Sequence, residues 1–133
     1  MSLPPVAAVA VGGAVGAVAR YVVSGAVQAR LERAWPGAPV PLGTFVVNVV
    51  GCLAIGALMG WFERGELSEE SRLFWVTGLL GALTTFSTFG HETIELVRAG
   101  RYGWAGASVL ASVVAGLAAV VLGRAMVGAA WRL

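Results

Sequence analysis

Four long apolar stretches, separated by three short polar links, set the pattern of this chain. They run from about Pro4 to Ala29, Leu42 to Phe62, Leu73 to Val97 and Tyr102 to Gly128. A helix rises about 1.5 Å per residue, so roughly 20 apolar residues cross the hydrocarbon core of a bilayer. The pattern predicts an all-α membrane protein of four transmembrane helices, a single domain over residues 1–133. The links Arg30 to Pro39, Glu63 to Arg72 and Arg98 to Arg101 leave no room for a second domain. The first stretch reads as a retained span. No Arg or Lys precedes Val6, Arg20 lies inside the apolar run, and Val6 to Val27 exceeds a signal core.

Within the third stretch the pattern is interrupted. Gly81-Ala82-Leu83-Thr84-Thr85-Phe86-Ser87-Thr88-Phe89-Gly90-His91-Glu92 places four hydroxyls and a carboxylate inside a span. Lipid offers no water to such groups, so they must face protein or a wet cavity, and a transport pathway is the first hypothesis. Gly78, Gly81 and the Thr84-Thr85 pair weaken the helix, which predicts a break at mid-span. A break exposes backbone carbonyls for cations and amides for anions. The alternative is a simple kink whose freed groups are satisfied by Thr hydroxyls.

Other polar residues extend the picture. Asn48 lies mid-way along the second span, one turn after Thr44, and its amide is expensive to leave in lipid. Trp104, Ser108 and Ser112 recur every four residues on the fourth span; back-bonding of each serine to its own helix is the competing reading. Phe86 and Phe89 are three apart, and two rings turned edge-on present positive potential to an anion. Ordinary packing explains them equally well from pattern alone. Arg20, near the end of the first apolar stretch, supplies a positive field at an entrance. Glu92 and Glu95 oppose an anion path unless protonated, paired with Arg, or set in an aqueous vestibule. The lining is rich in neutral donors, which suits a small, strongly hydrogen-bonding anion.

Composition narrows the function classes. Charged residues make up 12% of the chain, about half the density of a soluble domain. A net charge of +2, thinly spread, excludes nucleic acid as a partner. The lone Cys52 excludes an intrachain disulfide and reads as a small hydrophobe. One histidine, His91, with no second shell for a triad, gives no enzyme reading. Arginines are nearly balanced: Arg30, Arg33, Arg98 and Arg101 on one side, Arg64, Arg72, Arg124 and Arg132 on the other. Orientation follows such asymmetry, so a tie permits insertion both ways and an antiparallel homodimer. Small-residue faces at Gly12 and Gly16 (beside Arg20), at Gly56 and Gly60, and at Ala107, Ala111, Ala115 and Ala119 suit close helix approach. Whether they serve association or packing within one chain stays open.

These residues carry a resemblance. Gly12-Gly13-Ala14-Val15-Gly16-Ala17-Val18-Ala19-Arg20-Tyr21, Gly43-Thr44-Phe45-Val46-Val47-Asn48-Val49-Val50-Gly51, and Gly78 through Phe89 followed by Glu92, resemble the Fluc/CrcB fluoride channels over essentially the whole chain. The resemblance implies a dual-topology antiparallel homodimer in the cytoplasmic membrane that exports fluoride passively through two pores at its interface. It also implies a structural sodium ion at the dimer centre, held by the carbonyls of Gly81 and Thr84. Phe86 and Phe89 match the family's pore phenylalanines and Asn48 its pore asparagine. Arg20, Thr85, Ser87, Thr88 and Glu92 fall on further motif positions. Trp104 stands where the family often has tyrosine ahead of Ser108 and Ser112; an indole N–H donates but cannot accept. Two rival readings remain: a small proton-coupled multidrug exporter, for which the first span lacks the usual carboxylate, and a membrane assembly subunit with no transport of its own.

Overall fold

The computed structural model describes residues 4–128, so Arg132 lies outside the described residues. Four helical passes form an up-and-down bundle. The first is α1 (Pro5–Ala34), with Pro at its first turn, where a missing N–H costs nothing. The second is α2 (Leu42–Glu63). The third is composite: α3 (Glu69–Arg72), a π-helical segment (Leu73–Leu80), α4 (Gly81–Leu83) and α5 (Phe86–Arg98). The fourth is α6 (Tyr102–Met126). Each pass is long and apolar enough to cross a membrane.

The turns are built for tight reversal. Gly65 and Gly100 adopt φ of +75° and +71°, a left-handed conformation in which a β-carbon is unfavourable. At each, the following amide reaches back to close the helix: Glu66 N–H to Trp61 O at 3.0 Å and Arg101 N–H to Leu96 O at 2.9 Å, the Schellman pattern. Ser68 caps α3 by accepting from the Ser71 amide.

Close backbone approach decides how the passes pair. A β-carbon on Gly16 would lie 2.1 Å from the Leu79 carbonyl oxygen, and one on Gly12 would lie 2.4 Å from Phe74 O, so α1 seats on the π segment. Gly56 and Gly123 do the same between α2 and α6, at 2.2 Å from Val120 O and 2.1 Å from Leu53 O. The glycine faces of the first two helices are therefore filled within one chain. Ala107 and Ala111 remain exposed. At the far end of the α2–α6 pair, Glu63 takes two hydrogen bonds from Arg124, at 2.9 and 2.6 Å.

Two differences from the apolar pattern have simple causes. Helix α1 continues to Ala34 rather than stopping at Ala29, because Arg30 to Ala34 are good helix formers in or out of lipid. Arg20 consequently sits near the middle of α1, and its carbonyl accepts the Ser24 hydroxyl at 2.6 Å. The third pass starts earlier, at Glu69, for the same reason.

Candidate functional site

The third pass loses helical geometry at Thr84 (φ −82°, ψ 154°) and Thr85 (φ −152°, ψ 120°), both extended. Side chains absorb the interruption. The Thr84 hydroxyl donates to Leu80 O at 2.9 Å. Thr85 becomes the N-cap of α5, its hydroxyl accepting the Thr88 amide at 3.3 Å. The same oxygen lies 3.1 Å from the Thr88 hydroxyl and 3.2 Å from that of Ser87.

One face of α2 holds this segment in place. Thr44, Asn48 and Gly51 are spaced by four and three residues, so they line up along the helix. Thr44, 6% exposed, donates its hydroxyl to Glu92 Oε1 at 2.7 Å. Asn48 engages the Thr85 backbone twice: Oδ1 accepts its amide at 2.8 Å and Nδ2 donates to its carbonyl at 3.1 Å. Gly51 leaves room for the Thr84 methyl, 2.2 Å from where its β-carbon would stand.

The result is an open groove of about 360 Å³ that collects residues from three passes. Asn48 and Cys52 come from α2, Gly81, Thr84 and Thr85 from the interruption, Phe86 and Phe89 from α5, and Ser112 from α6. The two phenylalanine rings sit 5.7 Å apart at a 49° tilt. Phe86 is 84% exposed on the single chain. Arg20, Ser87, Thr88, Trp104 and Ser108 are not among the lining residues of this groove. Trp104 and Ser108 line a second one with Val40, Pro41 and Phe45, and the Trp104 ring meets Trp35 edge-on at 5.9 Å. The polar track of α6 is thus divided between two grooves. Glu92 lines a third, more open one with Gln28, His91, Glu95 and Arg101. Its Oε2 is buried and has no hydrogen-bond partner among the described residues.

Two sets of groups become available only in three dimensions. In a continuous helix the Thr85 and Thr88 amides would bond to the carbonyls of Gly81 and Thr84. Here those amides go to Asn48 and to the Thr85 hydroxyl, which releases both carbonyls. Two neutral oxygens suit a hard cation such as sodium. At the start of α5 the Phe86 and Ser87 amides make no hydrogen bond among the described residues, and a helix N-terminus favours an anion. Ser24 and Thr93 bond to the carbonyl one turn back; among the described residues Ser108 and Ser112 make no such bond, which leaves both hydroxyls as donors.

A family profile described as "CrcB-like protein, Camphor Resistance (CrcB)" matches residues 7–124. The chain belongs to the CrcB family. A relative from Desulfotalea psychrophila, named fluoride-specific ion channel FluC, is 47% identical over 117 residues, which is 87% of this chain and 86% of the relative. One of the same name from Methylobacillus flagellatus is 45% identical over 120 residues, covering 90% and 91%. Another from Chloroflexus aurantiacus is 45% identical over 117 residues, covering 87% and 89%. This CrcB chain is a multi-pass membrane protein of the cell membrane.

Several partnerships in this CrcB chain were not readable from its sequence. Thr44 and Glu92 are each identifiable as polar residues in a span, but 48 positions separate them. Gln28 ties α1 to the start of α2 by accepting the Gly43 amide at 3.2 Å and donating to Val40 O at 3.3 Å. Its only signal is a lone amide late in an apolar run.

Proposed function

We propose that this protein is a fluoride-selective channel, exporting the ion passively across the cytoplasmic membrane through pores at the interface of an antiparallel, dual-topology homodimer. The observation that carries the reading is the single groove in which Asn48, Phe86, Phe89, Thr85 and Ser112 meet at the helix interruption. These groups offer neutral N–H, O–H and ring-edge contacts and no fixed positive charge. Fluoride sheds part of its hydration shell there and passes from donor to donor. Ser87, Thr88, Ser108 and Trp104 extend the path beyond the groove, and Arg20 adds a positive field from α1. Chloride is excluded because a larger anion cannot reach donors on both sides of a narrow path.

The interruption, on this reading, lies at mid-membrane. The exposure of Phe86 supports a second copy closing the groove, since one chain leaves that ring bare. The ends of the chain support insertion in both directions. Four arginines lie at one end and three described ones at the other, where Arg64, Arg72 and Arg124 are each paired with a glutamate.

The carbonyls of Gly81 and Thr84 would hold a structural sodium ion, which would supply positive charge at the interruption. Replacing sodium by N-methylglucamine will lower the thermal stability of the dimer. Ligand at 100 times its Kd stabilises by about 2.7 kcal/mol, enough to read as a shift of several degrees. An unchanged melting temperature would count against the ion.

The function is tested by efflux from liposomes loaded with potassium fluoride, with valinomycin setting the driving force. Fluoride will leave rapidly while chloride-loaded liposomes leak no faster than protein-free ones. Equal rates for the two anions, or no fluoride efflux from a folded dimer, would refute the proposal.

A further inference from the structure

We infer that Asn48 is the positioning residue that keeps the third pass open, acting on the Thr85 backbone as a neighbouring strand would. An extended residue in an antiparallel sheet exchanges both its N–H and its C=O with one partner residue. Asn48 supplies that pair from a side chain, with 2.8 Å to the Thr85 amide and 3.1 Å from the Thr85 carbonyl. Thr85 is 8% exposed, so water does not compete for either group. The side chain has one acceptor oxygen and two N–H donors. Holding Thr85 takes the oxygen and one donor, and the remaining N–H is left for the groove that Asn48 lines.

Removing the clamp orphans two buried backbone groups, and leaving such groups unsatisfied is more costly than the loss of an average hydrogen bond. The nearest replacement for the Thr85 amide is the carbonyl four residues back, Gly81 O. Taking it closes the helix, with two consequences. The Gly81 carbonyl ceases to be available to an outside cation. Helix α5 turns about its axis as Thr85 leaves its cap position, which carries Phe86 and Phe89 away from their present place in the groove. One side chain therefore sets the carbonyls on one side of the interruption and the rings on the other, beyond lending a donor to a passing ion.

Gly51 and Thr84 make the arrangement specific to an open segment. The Thr84 methyl fills the space beside Gly51, and its hydroxyl is fixed on Leu80 O. Thr84 is thus seated independently, whereas among the described residues the backbone hydrogen bonds of Thr85 go to Asn48 alone.

The inference rests on hydrogen bonds and needs no ion, so it stands or falls apart from the fluoride reading. The test is solid-state NMR of the full chain in lipid bilayers, with threonine and glycine labelled. The Thr85 Cα and Cβ shifts report extended or helical backbone, and the Gly81 carbonyl shift reports whether it accepts a helical hydrogen bond. In the wild type and in Phe89→Ile, Thr85 will be extended. In Asn48→Ala it will move to the helical range and the Gly81 carbonyl will shift with it. Asn48→Asp, which keeps an acceptor for the Thr85 amide, will retain the extended state even if it conducts nothing. Should Asn48→Ala fail to assemble, Asn48→Ser, too short to reach both groups, will give the same helical signature. Thr85 remaining extended in the Ala or Ser variant would overturn the inference, whatever happens to flux.

Discussion

Phe89→Ile will fold and assemble as the wild type does, yet pass fluoride more slowly, by up to about 100-fold. Isoleucine keeps an apolar side chain of similar bulk in the groove, so packing changes little. What it lacks is the ring edge, the only part of an apolar side chain that carries positive potential. A partly dehydrated anion that loses a partner bears the cost of an unmade hydrogen bond, about 1–3 kcal/mol. At the upper value the rate falls about 100-fold, since each 1.36 kcal/mol is a factor of ten. Phe86→Ile should behave alike, because the rings adjoin at 5.7 Å. The check is the liposome efflux rate, alongside gel filtration to confirm that the variant elutes as the wild type does. Normal flux from either variant would remove the rings from the mechanism.

Gly16→Ala will prevent stable folding, whereas Gly13→Ala, three residues away on the same helix, will be nearly neutral. The contrast is steric. A β-carbon at 16 meets the Leu79 carbonyl oxygen at 2.1 Å, and that oxygen belongs to backbone that can move only if the π segment moves with it. At 13 nothing lies within 4 Å. Overpacking costs about 1–3 kcal/mol and more where nothing can yield, so about 3 kcal/mol or more is expected at 16. At 13 alanine improves helix propensity by up to about 1 kcal/mol. Thermal denaturation in one detergent, followed by the loss of the folded peak on gel filtration, separates the two. Equal melting temperatures would mean that α1 does not seat on the third pass as described.

Much of this architecture could be read directly from the chain. Runs of apolar residues mark the four passes because lipid demands them over a fixed length. They do not mark helix ends, since helices continue past the bilayer: α1 runs on through Arg30 to Ala34. The extended backbone at Thr84 and Thr85 falls beside the glycines and adjacent β-branched residues that disfavour a helix. The π winding of Leu73–Leu80 was not legible: Thr77 and Gly78 apart, its residues are ordinary apolar ones, and the segment packs on Gly12 and Gly16, far off in the sequence.

The site was legible as a set of residues and much less as a set of relations. Asn48 is conspicuous as an amide in a span, and sequence suggests a donor to an ion. Its two bonds to Thr85 depend on a residue 37 positions away and on the extended backbone there. Ser108 and Ser112 form a helical ladder on paper, yet Phe45 and Trp104 accompany one and Asn48 and Phe86 the other. The glycine faces could have served a partner or the chain itself, and spacing alone does not distinguish a carbonyl of the same chain from one of another.

The clamp between α2 and the third pass bears on how the protein is made. Asn48 leaves the ribosome 37 residues ahead of Thr85, an interval of about 2–7 s at usual rates of synthesis. Thr44 precedes Glu92 by 48 residues. Through that interval the second pass carries an amide and a hydroxyl whose lasting partners do not yet exist, in a medium that offers none. Biogenesis of the bundle is therefore a matter of timing as well as hydrophobicity: the polar face of the second helix is relieved only when the third arrives beside it.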